Sequence, residues 1–553
     1  MTDFTFTFDG QTVPARAGQS LAAALTDAGH RAFRDTPKSA TRGMFCGMGV
    51  CQDCLVTVDG APNLRACMSP AKPGMTVTRQ APFPEFSSPV TPAAEPLLLS
   101  PDVLVIGAGA GGLSAALAAA SAGAQVVVLD ERKIAGGQFY KQAADGSILD
   151  AQQSDGAELH ANALAAGVEI LSGVDLWGAF DPLLFLAQQG ERAIVARPKT
   201  AIVATGAYER PVMVPGWTLP GVMTTGAAQT LWRSYATLPG KRVAVCGSGP
   251  LNLQVALELA RGGADVVRLA ERAPHPATRP LAALRMWAAG PALTAKGLNM
   301  ELALRRHGVS IRQSCELTRV EQTGDALTAT FRARNGREDQ ITVDALCMNA
   351  GFDPQNEILR LLGAEMRYDP AMGSLRCQTD DTMQTRVPGL YAVGDCKGLG
   401  GAPAARVEGS IAGTHAAAAT GHGKAHDLVA DWVALARHGR FQACLWQLYD
   451  ITPRQPVDMP PETTICRCEE LTLGDICVGL KDEPGHAGTL KRATRLGMGR
   501  CQGRYCGPVA ARIVSDATGK PIEDLSFFAP RVPIKPVAIS AILAAQEALD
   551  GEG

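Results

Sequence analysis

The sequence predicts an α/β chain in which one parallel-sheet domain is inserted into another, with a small cysteine-bearing unit at each end. Three observations predict it. A strand, a glycine loop and a helix occur in succession twice, from Val103 and from Arg242. The chain later returns to Gly389-Leu-Tyr-Ala-Val-Gly-Asp395, as the first unit requires if the second interrupts it. Eight of the 15 cysteines fall into two groups, Cys46, Cys51, Cys54 and Cys67 near the start and Cys466, Cys468, Cys501 and Cys506 near the end.

A chain of 553 residues is too long for one core, and about three to four domains is the expectation. The net charge of −2 gives no basic field for nucleic acid or an anionic membrane. No secretory leader is read at the start, where Thr2–Val13 alternates like a strand and turns at Asp9-Gly10. Residues Val103–Leu129 carry no charge and are long enough to mimic a membrane span. The glycines at 107, 109, 111 and 112 divide that run into strand, turn, helix and strand, so no transmembrane segment is expected. Cysteines in a cytoplasmic chain are expected as thiols or metal ligands rather than disulfides.

In order, residues 1–80 read as a small unit with strands at Phe4–Phe8 and Leu55–Val58, a helix at Leu21–Ala28 and a Gly/Cys loop at 43–54. Residues 81–101 hold Pro82, Pro84, Pro89, Pro92, Pro96 and Pro101 and read as an extended linker. The first dinucleotide unit is expected at 102–232 and 346–424, with the inserted unit at 233–345. A helical connector follows at 425–459, the second cysteine unit at 460–520 and a tail at 521–553, with a helix at Ala538–Leu549.

The spacing Cys46-x4-Cys51-x2-Cys54, followed by Cys67, is that of plant-type [2Fe–2S] ferredoxins. Each iron needs two thiolates, and a tight loop can present three of the four. Gly43, Gly47 and Gly49 let backbone N–H groups turn toward the sulfurs. The second group is Cys466-x-Cys468, 32 intervening residues, then Cys501-x4-Cys506 in a glycine-rich turn. Lys491, Arg492, Arg495, Arg500 and Arg504 surround it, and cations near a thiolate-rich cluster raise its potential. A zinc ion held by four cysteines is the rival at both places, although zinc more often uses two short CxxC hooks. The isolated Cys246, Cys315, Cys347, Cys377, Cys396, Cys444 and Cys477 read as small core residues. With no CxxC or CxxxxC in the central domains, a dithiol reductase mechanism lacks its parts.

Gly107-x-Gly109-x-x-Gly112 follows the strand Val103–Ile106 and opens a helix. The next strand ends at Asp130, placed to accept from a ribose hydroxyl. Gly136-Gly137-Gln138, Ala204-Thr205-Gly206 and Gly394-Asp395 complete a set usual for FAD in two-dinucleotide flavoproteins. Asp395 is expected on the ribityl chain. The second loop, Gly247-Ser-Gly249-Pro-Leu-Asn252, has Asn in place of the third glycine. Its ribose-acid station counts to Ala270, with Glu271 one residue late. Both departures weaken NAD(P) binding.

Together these stretches resemble the large (α) subunits of bacterial heteromeric flavin amine and amino-acid dehydrogenases. That group includes octopine and nopaline oxidases, hydrogen cyanide synthase, D-hydroxyproline dehydrogenase and heterotetrameric sarcosine oxidase. The resemblance rests on Phe45–Cys54, Val105–Gly112, Gly247–Asn252, Met348–Phe352 and Gly497–Gly507. It implies a Rossmann-like FAD domain with an inserted NAD-like domain. An N-terminal ferredoxin-like β-grasp domain and a small helical, BFD-like [2Fe–2S] domain would flank them. By similarity, FAD would lie at Gly107, Gly109, Gly111, Gly112, Asp130, Glu131, Gly137, Gln138, Val174, Ala204, Thr205, Gly206, Gly394 and Asp395. The two cysteine quartets would each ligate a [2Fe–2S] cluster.

The implied partner is a second flavoprotein (β) subunit of the amino-acid-oxidase type, with an FMN between the two and, in some systems, a small third subunit. That partner would oxidise a secondary amine or amino acid, an opine, proline derivative, sarcosine-like amine or glycine. This chain would pass electrons through flavin and clusters to a quinone, a cytochrome or oxygen. The expected location is cytoplasmic, at most peripheral to the inner face of the membrane. No catalytic acid or base is expected in this chain. The alternative is a self-contained NAD(P)H-dependent flavin/iron–sulfur reductase.

Overall fold

The computed structural model describes residues 3–85, 94–424, 428–449, 451–453, 456–482 and 485–550. Thr2, Pro89, Pro92 and residues 551–553 of the expected tail lie outside them. The N-terminal unit is a five-stranded sheet in the order Gln11–Arg16, Asp3–Phe8, Thr76–Arg79, Leu55–Val58, Ala61–Arg65. Asp9 and Gly10 both take positive φ, as a two-residue hairpin turn requires. The helix Leu21–Asp27 is capped by the Ser20 hydroxyl, which accepts from the Ala23 amide. It buries Leu21 and Leu25 against Phe6, Phe8 and Phe33.

The first dinucleotide domain is an all-parallel sheet in the order Glu169–Ser172, Val126–Asp130, Val103–Ile106, Thr200–Val203, Leu390–Ala392. Its central strands are continuous apolar runs because both faces are covered, one by helices and the other by the antiparallel strands Val174–Phe180, Leu184–Gln189 and Arg192–Ala196. The helices Ala110–Ser121 and Ala402–Ala419 pack closely through small residues. A Cβ on Gly409 would stand 2.2 Å from the Gly111 carbonyl oxygen, and one on Gly413 2.1 Å from that of Ala115. Among the described residues, no helix is long and apolar enough to cross a membrane.

Three sequence expectations shift. Ala94–Leu99, expected as the end of the linker, is an edge strand paired in parallel with Arg192–Ala196. Its Leu97-Leu-Leu99 run finds partners there, and an edge position tolerates Pro96. The inserted domain is also larger than 233–345. Its parallel sheet runs Val222–Thr224, Ala345–Asn349, Arg242–Gly247, Asp265–Glu271, Ile311–Gln313. The strand after residue 344 is central to that sheet, so the boundary falls beyond it. A short antiparallel ribbon, Ala207–Glu209 with Phe352–Pro354, joins the two crossings between domains.

The third shift concerns the second glycine loop. A register shift between Val243 and Ala244 sets Gly247 opposite Glu271 rather than Ala270. In the first unit, Leu129 pairs with Ile106, so Asp130 follows opposite Gly107. Glu271 therefore holds the station that counting assigns to Ala270, because a bulge absorbs the extra residue. Its carboxylate folds onto its own loop, accepting from the Ser248 hydroxyl at 2.6 Å and the amides of Gly249 (3.1 Å) and Ala273 (2.9 Å). Burial raises it to about 7 despite those donors.

The N-terminal unit is clamped to the first dinucleotide domain. Arg65 reaches Glu131 and Asp175, each at 2.7 Å, and Lys535 from the tail reaches the other Glu131 oxygen at 2.5 Å. Burial raises the Glu131 carboxyl, but the Lys535 and Arg65 charges outweigh it and leave it at about 2.

Two pH dependences follow, of opposite sign. Glu131 is depressed below its ordinary value, so its contribution is present above about pH 4.5 and is lost as the pH falls toward 2. Arg65→Ala, which leaves Glu131 and Asp175 to share Lys535, is expected to cost about 3 kcal/mol. It should also shrink, without abolishing, this acid-dependent segment of the thermal stability profile, because Lys535 still holds Glu131. Glu271 is raised, so its contribution is present below about pH 4.5 and is lost as the pH rises through 7. Glu271→Gln is expected to melt higher than the parent at pH 8, by the equivalent of about 3 kcal/mol, with the difference vanishing near pH 5. Equal melting curves at pH 8 would refute that assignment.

Candidate functional site: a dinucleotide cavity and two cysteine quartets

Of the residues expected to hold a dinucleotide, all but Gly112 line one cavity of about 750 Å³. Gly112 lies just behind its wall. A Cβ there would stand 1.8 Å from the Gly107 carbonyl oxygen, so the helix can approach the strand only as glycine. Gly107 itself has φ +106° and backs onto the Ala204 carbonyl. Gly137 takes φ +62°, and a Cβ on it would meet the Gly109 Cα at 2.8 Å. The two loops thus touch backbone to backbone and leave a side-chain-free cradle.

Asp130 lines the cavity and accepts from the Ala108 and Arg132 amides. Asp395 also lines it and accepts from Gly400 (3.1 Å) and Gly401 (2.9 Å). Burial raises both carboxyls. Glu131 is different from the expectation. Both of its oxygens are engaged by Arg65 and Lys535, so it ties domains together rather than facing a ligand unpartnered.

Among the charged residues of the cavity wall that were not foreseen, two are buried, Lys141 and Glu209. The buried Lys141 ammonium donates to the Gly226 carbonyl (2.9 Å) and the Gln229 side chain (3.0 Å). Burial lowers it to about 7. Glu209 accepts from the Gly226 amide at the start of the helix Thr225–Tyr235 and from Asn349 (2.8 Å). Burial raises it. Lys141 follows Gly136-Gly137-Gln138 by a few residues, and that position is the signal that could have found it.

The cysteines of each quartet are brought together as pairs of neighbouring thiols. Cys46 neighbours Cys51, and Cys54 neighbours Cys67. In the second quartet Cys466 meets Cys506, and Cys468 meets Cys501. All are buried but Cys468, which is half-buried. The Met48 and Cys51 amides point at the Cys46 sulfur, 3.5 and 3.4 Å away. Burial raises Cys46, but the Cys51 thiol and these amides outweigh it and leave it at about 7. Cys501 is likewise held at about 7, chiefly by Cys468. Among the described residues, no three or more Cys, His, Asp or Glu side chains are arranged around a single metal ion.

The second quartet shares a core with half of the first, while Cys54 and Cys67 belong to the core of the N-terminal sheet. Phe45, Cys46 and Cys51 pack with Trp217, Cys466, Cys501, Tyr505 and Cys506. On the other side of the first loop, Met48 and Val50 line the dinucleotide cavity. Of the cations expected around the second quartet, Arg504 acts on Cys501, Arg500 on Cys468 and Lys491 on Cys506. Arg495 is exposed and paired to Glu469, and Arg504, which is buried, is also paired to Glu357. The cation seated between the quartets is Arg467, which lies within the Cys466-x-Cys468 spacing and was overlooked. Of the isolated cysteines, Cys246, Cys315, Cys347, Cys377 and Cys396 are buried. Cys444 is half-buried and Cys477 exposed, because both sit on outward turns of helices.

Residues 101–421 match the family described as Pyridine nucleotide-disulphide oxidoreductase. Residues 2–82 match a 2Fe-2S iron-sulfur cluster binding domain, and residues 462–547 the Sarcosine oxidase A3 domain. An opine oxidase subunit of Rhizobium meliloti (strain 1021) is 30% identical over 453 residues, 80% of this chain and 98% of that protein. Hydrogen cyanide synthase subunit HcnB of Pseudomonas aeruginosa is 29% identical over 466 residues, 79% of this chain and 97% of that protein. L-proline dehydrogenase from P. horikoshii shares the fold, with a TM-score of 0.73 at 23% identity over 98% of this chain and 97% of its own. A glycine-cradled cavity beside paired thiols, on a chain matched along most of its length, makes this protein a member of the flavoprotein oxidoreductase family that includes HcnB and the opine oxidase subunit, with a [2Fe–2S] domain at its N-terminus.

Proposed function

We propose that this chain is the electron-transferring subunit of a heteromeric dehydrogenase or oxidase. Its partner, a second flavoprotein, oxidises a secondary amine or amino acid of the opine, proline-derivative, sarcosine or glycine kind. One observation carries the reading. The cavity bounded by the expected FAD residues is also bounded by Met48 and Val50 of the first cysteine loop. A flavin there and a [2Fe–2S] cluster at Cys46, Cys51, Cys54 and Cys67 would share a wall.

The residues fit these groups. Four buried thiols in two pairs can supply two ligands to each of two irons. The same pairing supports a second [2Fe–2S] cluster at Cys466, Cys468, Cys501 and Cys506. When bound, a flavin accepts electrons in pairs and releases them singly, and each cluster takes one at a time. The chain's own contribution is electrostatic and steric. Gly107, Gly109 and Gly137 admit a pyrophosphate to the start of the helix Ala110–Ser121. Asp130 and Asp395, which line the same cavity, would accept from hydroxyls of a ribose and a ribityl chain. Lys141 Nζ, held at about 7, can take up or release a proton at neutral pH. The amides on Cys46 offset added negative charge.

A partner has an apolar surface to meet on the helices that wall the cavity. The helices Pro280–Ala289, Pro291–Arg306 and Val429–Leu448 contribute to the cavity wall. They leave Leu281 (70%), Leu284 (66%), Val429 (65%) and Val433 (64%) exposed. The relatives named as subunits support a heteromeric complex.

The test is purification from the native host, with iron, acid-labile sulfide and released flavins counted. Four irons and four sulfides per chain, FAD, and a stoichiometric second flavoprotein are expected, and FMN beyond one FAD per subunit marks the interfacial flavin. Zinc without sulfide would overturn the cluster assignment. In the complex, Cys501→Ser is expected to abolish turnover with an external one-electron acceptor while substrate still reduces the partner's flavin. Unchanged turnover would refute the electron path. A lone chain whose flavin bleaches with NADH would instead be a self-contained reductase.

A further inference from the structure

Asp53 lies between the second and third cysteines of the first quartet, and Arg467 between the first two of the second. Although 414 positions apart, they form an ion pair, Arg467 Nε donating to Asp53 Oδ2 at 2.5 Å. Asp53 is 1% exposed and Arg467 5%. Arg34 secures the other Asp53 oxygen at 2.7 Å and its carbonyl at 3.1 Å. Arg467 also donates to the Trp217 carbonyl at 3.2 Å. Its guanidinium lies 3.9 Å from the centroid of Phe45, the residue before Cys46, and 4.7 Å from that of Trp217. Tyr505, the residue before Cys506, meets the edge of Phe45 at 5.6 Å. Glu470, two residues beyond Cys468, accepts from Thr36 (2.7 Å), the Lys38 amide (3.1 Å) and Arg42 (3.4 Å).

These contacts ask for an explanation beyond stability. A buried ion pair is often no better than well-packed apolar residues of the same volume, because desolvation offsets the attraction. Here the pair is not at a random point of an interface. Both partners sit inside the ligand spacings, and both ligand loops also contribute an aromatic ring to the same bundle. With little water between the loops, charge added at one is felt at the other far more strongly than through solvent.

We infer that the two quartets form one coupled redox pair, joined directly through Asp53 and Arg467, with Arg467 as a positioning residue common to both. This rests on the reading that each quartet holds a [2Fe–2S] cluster. In the transfer, one electron leaves one cluster, which is oxidised by one, and reaches the other, which is reduced by one. No bond forms or breaks and no proton moves. The cation and carboxylate hold the ligand loops at fixed separation and bias both potentials together.

The experiment uses the full-length holoprotein, assayed for iron and sulfide, reduced stepwise with dithionite and followed by electron paramagnetic resonance. The fully reduced protein is expected to show a split or broadened signal that the half-reduced protein lacks. Arg467→Met is expected to lower both midpoint potentials and Asp53→Asn to raise both. Arg467→Lys should restore most of the shift. All three variants keep Arg34 at the site, and the measurement on the parent protein needs no variant. Two signals that simply add, or a substitution that moves only one potential, would overturn the coupling while leaving two clusters in place. Fewer than four irons per chain would overturn both this inference and the cluster assignment.

Discussion

A charge taken out of water must find its counter-charge, and in this chain that requirement joins the two ends. Asp53 cannot remain ionised at 1% exposure without Arg34 and Arg467. Burial alone would raise its carboxyl, yet Arg467, Arg34 and Arg42 together hold it below the usual range. Once Asp53 is fixed, Phe45 and the Cys46–Cys54 loop are fixed against Trp217 and the segment from Thr464 to Cys468. The N-terminal β-sheet unit is thereby an integral wall of the molecule rather than a tethered appendage. Arg65 and Lys535 repeat the device at a second corner, where Glu131 and Asp175 would otherwise be buried like charges.

Glycine does the corresponding work for the cavity. Gly107, Gly109 and Gly137 bring two loops into backbone contact, and Gly409 and Gly413 bring two helices to the same closeness. The cavity they frame is lined on one side by dinucleotide-type loops and on the other by Met48 and Val50. The spatial order is therefore cavity, first quartet, second quartet. That order differs from a linear arrangement with a cysteine unit at either extreme, which the sequence alone suggests.

The second glycine loop shows how one residue alters a functional reading. Counting assigns the ribose-acid station to Ala270, but a bulge moves Glu271 opposite Gly247. Glu271 then turns its carboxylate onto Ser248 and Gly249, and Asn252 uses its side chain to tie Thr225 to the Asn349 carbonyl. The polar groups that a nucleotide would meet at this loop are largely satisfied from within. A one-residue bulge shifts the alternation beyond it, but the end of this strand is buried throughout and shows no alternation to shift, so the sequence carries only the hint of an acid one residue late.

The parts of this molecule were readable from residue order alone. Glycine positions after apolar runs, and cysteine spacings, are local properties, because a tight turn or a ligand loop is built by residues near in the chain. Hence the cavity residues, both quartets and the alternation of domains were legible, as were the helix at Leu21 and the one near the C-terminus. Adjacency was not legible and was settled in the folded core: Arg467 on Asp53, Arg65 on Glu131, Met48 beside the dinucleotide cradle, and the strand at Ala94–Leu99. Such pairings join residues up to hundreds of positions apart. They are selected by burial and charge balance in the assembled core, which no window of sequence contains.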